Sequence, residues 1–211
     1  MIGVLALQGD VREHRRALES VGARTRLVRC VEELAGLDGI VLPGGESTTM
    51  VNLAASFGLL DPLRHAIHAG LAAYGSCAGM ILLADRVCDG VPGQPTVGGL
   101  DITVRRNAFG RQVESFERDL PMTGVAGPPV HGVFIRAPWV ESVGPGVVVL
   151  AQVSDPSGAD RIVAVQQGAL LATSFHPELT GDLRVHEYFL NVVRAEPGWS
   201  QAPGRRLSKG A

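Results

Sequence analysis

Apolar positions along this chain fall into two regimes. Over the first ~85 residues, short unbroken apolar runs alternate with amphipathic stretches. Residues 2–7 form one such run, closed by Gln8-Gly9, which predicts a strand buried on both faces. Asp10 stands three positions before Glu13, the spacing of a capping pair, and predicts a helix through Val21 that Gly22 ends. Residues 24–28 predict a second strand, 32–35 a helical turn, and 39–42 a third buried strand stopped by Pro43-Gly44-Gly45. A helix over 48–56 follows. Another opens at Asp61-Pro62, where a cap precedes Pro at the first helical position. Strand 71–74 and helix 78–84 complete the series, and such alternation argues for parallel βαβ units.

The pattern changes near Asp89. Residues 90–95 and Gly98-Gly99 read as loops. Beyond them the apolar segments are short and strand-like: 102–106, 112–116, 133–136, 147–153, 162–165 and 170–174. Residues 154–158 predict a turn, and Gln167-Gly168 a hairpin turn. An amphipathic helix is predicted over 182–193. Residues 196–211, rich in Gly, Pro, Arg and Ser, predict a disordered tail after a single domain over 1–195.

Composition narrows the class. The chain has 211 residues, 45% of them apolar and 19% charged, which fits one soluble globular domain. A net charge of -2 offers no field for nucleic acid or an anionic membrane. Three cysteines, Cys30, Cys77 and Cys88, are too few and odd in number for a disulfide framework. No run approaches the ~20 apolar residues of a membrane span, and the N-terminal run lacks a signal peptide's basic flank. A reduced, cytoplasmic setting is expected.

Candidate chemistry lies at three places. Tyr74-Gly75-Ser76-Cys77-Ala78-Gly79 follows a predicted strand and precedes a helix, the Gly-x-nucleophile-x-Gly pattern of a nucleophile elbow. Such a turn projects the sulfur and sets it at a helix N-terminus, which favours the thiolate. It also aims the Ala78 N–H at a developing oxyanion. Phe175-His176-Pro177-Glu178 follows another predicted strand. Pro177 favours extended backbone at His176, and in extended chain Glu178 reaches one imidazole nitrogen, leaving the other for Cys77. Leu42-Pro43-Gly44-Gly45-Glu46-Ser47 ends a buried strand, where N–H groups of Gly44 or Gly45 are available to an oxyanion; a plain tight turn before a capped helix explains it equally well. His65 and His68 lack companions for a metal site. His14, His131 and His186 have no partner visible in sequence. Arg105, Arg106 and Arg111 fit either a solvated face or a carboxylate-holding group.

Cys77 in an elbow, the Pro43-Gly-Gly45 loop and His176-Pro-Glu178, in that order, resemble class I (triad-type) glutamine amidotransferases. Within that class the chain is most similar to the glutaminase subunits of pyridoxal 5′-phosphate synthases. Arg106-Asn-Ala-Phe-Gly-Arg-Gln112 and Phe134-Ile-Arg-Ala-Pro138 are the specific stretches, and the similarity runs to about Val193. The resemblance implies a three-layer αβα sandwich with a central, mostly parallel, flavodoxin-like sheet and added antiparallel strands. It implies Cys77 as nucleophile, His176 as base and Glu178 as its orienter. Gly45, Glu46, Ser47, Arg106, Ile135 and Arg136 would line the glutamine site, with Gly44, Gly45 and Ala78 as oxyanion donors. No metal or cofactor is implied. A (β/α)₈-barrel synthase is the implied partner, in a complex of twelve copies of each, with ammonia passing between them. A glutaminase serving histidine or purine biosynthesis, and a non-enzymatic subunit with a dead site, are the alternatives.

Overall fold

The computed structural model describes residues 1–90, 93–106, 108, 115–155 and 157–195. Five parallel strands form its centre: β1 (Ile2–Leu5), β2 (Thr25–Val28), β3 (Gly39–Leu42), β4 (Ala72–Ser76) and, from the far end of the chain, β12 (Leu170–Thr173). Their order is β2-β1-β3-β4-β12. β1, β3, β4 and β12 are buried along their whole length, which explains why each reads as an unbroken apolar run.

Beyond β12 the sheet curls and turns mostly antiparallel. β11 (Asp160–Gln167), β9 (Trp139–Val143), β6 (Leu100–Arg105) and β5 (Ala84–Cys88) continue it in that order, and β10 (Val148–Ser154) pairs with β11. β5 and β6 run parallel to each other. A separate hairpin joins β7 (Ser115–Leu120) to β8 (Val130–Ile135).

Helices cover both faces. On one lie α2 (Ser47–Ser56), α3 (Leu60–His68) and α4 (Ala78–Leu83), over a core that includes Ile40, Leu42, Met50, Leu63 and Leu82. On the other lie α1 (Val11–Ser20) and α5 (Arg184–Ala195), over Val4, Val41, Tyr74, Leu171 and Phe189. Alternate residues of one strand, Ile40 and Val41 for instance, thus feed opposite cores. This is the three-layer α/β architecture the sequence led one to expect, with the antiparallel strands added at one side.

Several local expectations are corrected. Asp10 precedes α1 but its side chain makes no capping hydrogen bond. The Asp61-Pro62 helix starts earlier, with Leu59 before its first residue. β5 and β9 were not expected, because Ala84–Cys88 and Trp139–Val143 carry charges at Asp85, Arg86 and Glu141 that break the apolar pattern. Arg111, the start of the strand expected at 112–116, and the tail at 196–211 lie outside the described residues. No helix among the described residues is long and apolar enough to cross a membrane.

Candidate active site

Strand order brings the distant motifs together. Thr173 of β12 pairs with Ser76 of β4, and Leu42 of β3 pairs with Gly75. The three strands end side by side, so the Cys77 turn, the His176 turn and the Gly44-Gly45 loop share one carboxyl edge, where open α/β sheets bind ligands. Beyond the last pair, the Cys77 N–H donates to the Thr173 carbonyl at 2.8 Å.

Cys77 has φ +49°, rare for a residue with a Cβ. Holding it there costs about 1–3 kcal/mol, which the surrounding packing must offset. Its flanking glycines explain how the turn closes. A Cβ on Gly75 would lie 2.4 Å from the Gly79 carbonyl, and one on Gly79 only 2.0 Å from the Leu42 carbonyl oxygen. Helix α4 therefore packs on β3 and β4 backbone to backbone. Cys77 is nearly buried, with its sulfur 3.9 Å from the Ile135 carbonyl.

The sulfur lies beside the His176 ring, near enough to favour its protonated form. On the ring's other side, Nδ1 donates to Glu178 Oε1 at 2.8 Å. Glu178 reaches it through a 3-10 turn at Pro177–Leu179 rather than along extended chain, which corrects the route though not the pairing. Burial disfavours charge on His176. Asp10, Cys77 and Glu178 outweigh burial and push the ring up to about 12, so it rests as an imidazolium. The Glu178 side chain is fully buried. Burial again opposes its charge, but His14 and His176 hold its carboxyl well below the usual range.

Three groups around this line were not legible as partners in the sequence. Asp10 Oδ2 lies 3.3 Å from His176 Nδ1. His14 of α1 places Nε2 3.3 Å from Glu178 Oε1 and 2.8 Å from the Ser76 hydroxyl. His14 Nδ1 lies 3.0 Å from Nε2 of His186 on α5. Both histidines are fully buried, and burial lowers His186 to about 3, with His14 adding to the effect. The α1 and α5 histidines thus meet behind the carboxyl edge of the sheet. The position of His14 on the inner stripe of α1 was the available signal, but its partners come from β4, α5 and the turn after β12.

A cavity of about 370 Å³ opens above Cys77 and His176, within the range of small-ligand sites. Gly45, Glu46, Ser47, Ala78, Arg106, Ile135 and Arg136 all line it, and so do Gln8 and Asp10, which the sequence did not single out as site residues. Gly44 lies one residue back, against the His176 ring. Gln8 stands at the carboxyl end of β1 and accepts from the Glu46 N–H at 2.7 Å. Glu46 accepts from the Thr48 and Thr49 N–H groups and so caps α2. Its partial burial opposes charge, yet hydrogen bonds from Thr49 and Thr48 lower its carboxyl to about 2. Arg106 donates to Glu46 Oε1 at 3.1 Å and to Gln94 Oε1 at 2.7 Å. Opposite charges thus stand together in one wall. The Ser47 hydroxyl is buried without a partner among the described residues.

Other sequence candidates fall elsewhere. Arg105 is paired with Asp89 and Glu141. His131 bridges Asp119 and Glu117 on the exposed hairpin. Donor atoms of Asp10, His176 and Glu178 lie within 4.8 Å of one another, close enough to hold a metal ion, but the Glu178 hydrogen bond and the Asp10 ion-pair contact at His176 Nδ1 already account for the grouping. Cys30 and Cys88 are free thiols away from the cavity.

A thiol joined to a buried, carboxylate-backed imidazole, under a cavity with both charge signs, suits acyl transfer from a small zwitterionic amide. The comparisons agree with that class: the chain belongs to the SNO glutamine amidotransferase family, whose profile matches residues 4–195. Among its curated relatives is pyridoxal 5′-phosphate synthase subunit PdxT of a Parafrankia species, 68% identical over 197 residues, covering 93% of this chain and 95% of that one. The protein of the same description from Kineococcus radiotolerans is 66% identical, covering 92% and 94%. A solved glutamine amidotransferase superposes with a TM-score of 0.83 at 51% identity, covering 91% of this chain and 98% of that one. PurLQS from Thermotoga maritima, at 20% identity, shares the fold with a TM-score of 0.59, covering 90% and 96%.

Proposed function

We propose that this chain is the glutaminase subunit of a pyridoxal 5′-phosphate synthase, hydrolysing L-glutamine to L-glutamate and ammonia. The observation that carries the reading is the line Cys77–His176–Glu178 at the carboxyl edge, beneath the cavity. Relatives described as PdxT, at 66–68% identity over nearly their whole length, supply the choice of synthase.

In the proposed mechanism, the Cys77 thiolate attacks the side-chain amide carbon of glutamine. N–H groups of Ala78 and of the Gly44-Gly45 loop receive the oxyanion, and losing one such donor typically costs about 2.7–4 kcal/mol. Once sulfur is bonded to carbon, its charge no longer holds the imidazolium proton. His176 then delivers that proton to the leaving ammonia, and the C–N bond breaks. The neutral ring next takes a proton from water, which attacks the thioester and releases glutamate and the thiolate. Such general acid–base help is worth roughly 10²–10⁴ in rate. Arg106 faces the substrate α-carboxylate, Glu46 the α-ammonium, and the Ser47 hydroxyl gains a partner.

The ammonia goes to a synthase subunit that makes pyridoxal 5′-phosphate for vitamin B6 supply. The partner is a (β/α)₈ barrel, assembled with this chain in a complex of twelve and twelve. The test is ammonia release with the barrel synthase and with synthases of histidine or purine biosynthesis. Release stimulated by the barrel alone supports the reading, and stimulation by another synthase instead overturns it.

A further inference from the structure

Asp10 has the position of a helix cap and does not act as one. Its residue immediately precedes α1, yet its carboxylate makes no capping hydrogen bond. It turns instead into the cavity wall and stands 3.3 Å from His176 Nδ1, the nitrogen that Glu178 also engages. We propose that Asp10 is a second, solvent-reachable carboxylate on the catalytic histidine, a positioning residue that keeps His176 protonated opposite the Cys77 sulfur. The proposal rests on the functional reading above only in calling that histidine catalytic.

The backbone is shaped for this contact. Gly9 has φ +101°, and a Cβ on it would lie 1.7 Å from the Gly44 carbonyl oxygen. That close approach allows the Asp10 N–H to donate to the same oxygen at 3.1 Å, which moors the start of α1 to the Gly44 loop. A Cβ on Gly44 would fall 2.8 Å from Asp10 Oδ2 and 2.3 Å from His176 Cε1. Two glycines therefore clear the space in which the carboxylate meets the ring. A capping Asp would gain nothing from Gly44 being bare.

The two carboxylates differ in setting. Glu178 is sealed in the interior with His14 and His186 behind it, whereas the Asp10 side chain keeps about a third of its surface in solvent, 35%. The other groups facing His176 are the Cys77 sulfur from the β4–α4 turn and, across the cavity, Glu46, Arg106 and Arg136. Removing a carboxylate within ~4 Å lowers the pKa of a cationic partner by about one unit or more. Without that carboxylate the imidazolium loses its proton at lower pH.

The test uses the full chain without glutamine or synthase, so failure of the functional reading leaves its outcome intact. The rate of Cys77 alkylation by iodoacetamide is followed against pH by peptide mapping, with ¹⁵N-histidine spectra reporting the His176 ring. For Asp10→Asn, both the alkaline step in alkylation and the His176 titration should fall by at least one pH unit, a tenfold change in the imidazolium's dissociation constant. Asp10→Ser serves the same purpose should Asp10→Asn fail to fold. Glu13→Gln, on the same helix, should leave both curves in place. Curves for the Asp10 variants that superimpose on the parent's would overturn the proposal.

Discussion

At the residue scale, the site is governed by how one imidazole is loaded from both sides. His176 carries the Cys77 sulfur on one flank and carboxylates on Nδ1 at the other. Glu178 differs from an ordinary surface acid because it is buried and faces two histidines. Glu178→Gln keeps shape and volume but removes the charge that stabilises the imidazolium. In steady-state assays of the assembled enzyme, kcat should drop by about 10²–10⁴ with KM nearly unchanged, since the side chain does not line the cavity. A rise in KM at constant kcat would assign Glu178 to substrate binding instead. The Cys77 and His176-Pro-Glu178 segments were readable because each carries its chemistry within a few consecutive residues. Asp10 was misread as a cap because the cap position was visible and the Gly44 loop's approach was not.

At the element scale, the elbow works because α4 sits against bare backbone. Gly79 allows the first turn of α4 to touch the Leu42 carbonyl at the end of β3. Gly79→Ala inserts a methyl where no side chain can yield, so α4 must lift from the strand. Overpacking of this kind costs typically 1–3 kcal/mol, and each kcal/mol lowers Tm by roughly 2–4 °C in a domain of this size. Calorimetry should show a fall of about 2–12 °C, with Cys77 alkylated faster as its turn loosens. An unchanged Tm would contradict the close approach. The central strands were legible for a related reason: burial on both faces leaves an unbroken apolar run. β5 and β9 were not, because each exposes charged residues and owes its place to neighbours distant in sequence.

At the scale of the whole molecule, insertion of β12 beside β4 is what assembles the site, bringing residue 176 to residue 77. No local pattern states that order; it came from the similarity of the motifs as a set. The same topology closes a buried histidine pair, His14 on α1 and His186 on α5. Burial, aided by His14, lowers His186 to about 3, against about 6.5 for an unfolded histidine. Between these values the unfolded chain binds the extra proton, so stability falls as pH drops through that window. The limit is about 1.4 kcal/mol per pH unit. Urea unfolding between pH 7 and 4 should show this slope in the parent chain, and His186→Phe should flatten it even though it lowers stability at pH 7. Equal slopes would show that His186 does not titrate with folding.

The central claim, that Cys77 forms a covalent link to the glutamine acyl group, can be read directly. The chain, with the barrel synthase present, is mixed with ¹³C-labelled glutamine, quenched in acid and mapped by mass spectrometry. A labelled glutamyl thioester on the peptide carrying Cys77, absent in Cys77→Ala, is the predicted result. Labelled glutamate accumulating at an undiminished rate in Cys77→Ala would contradict it.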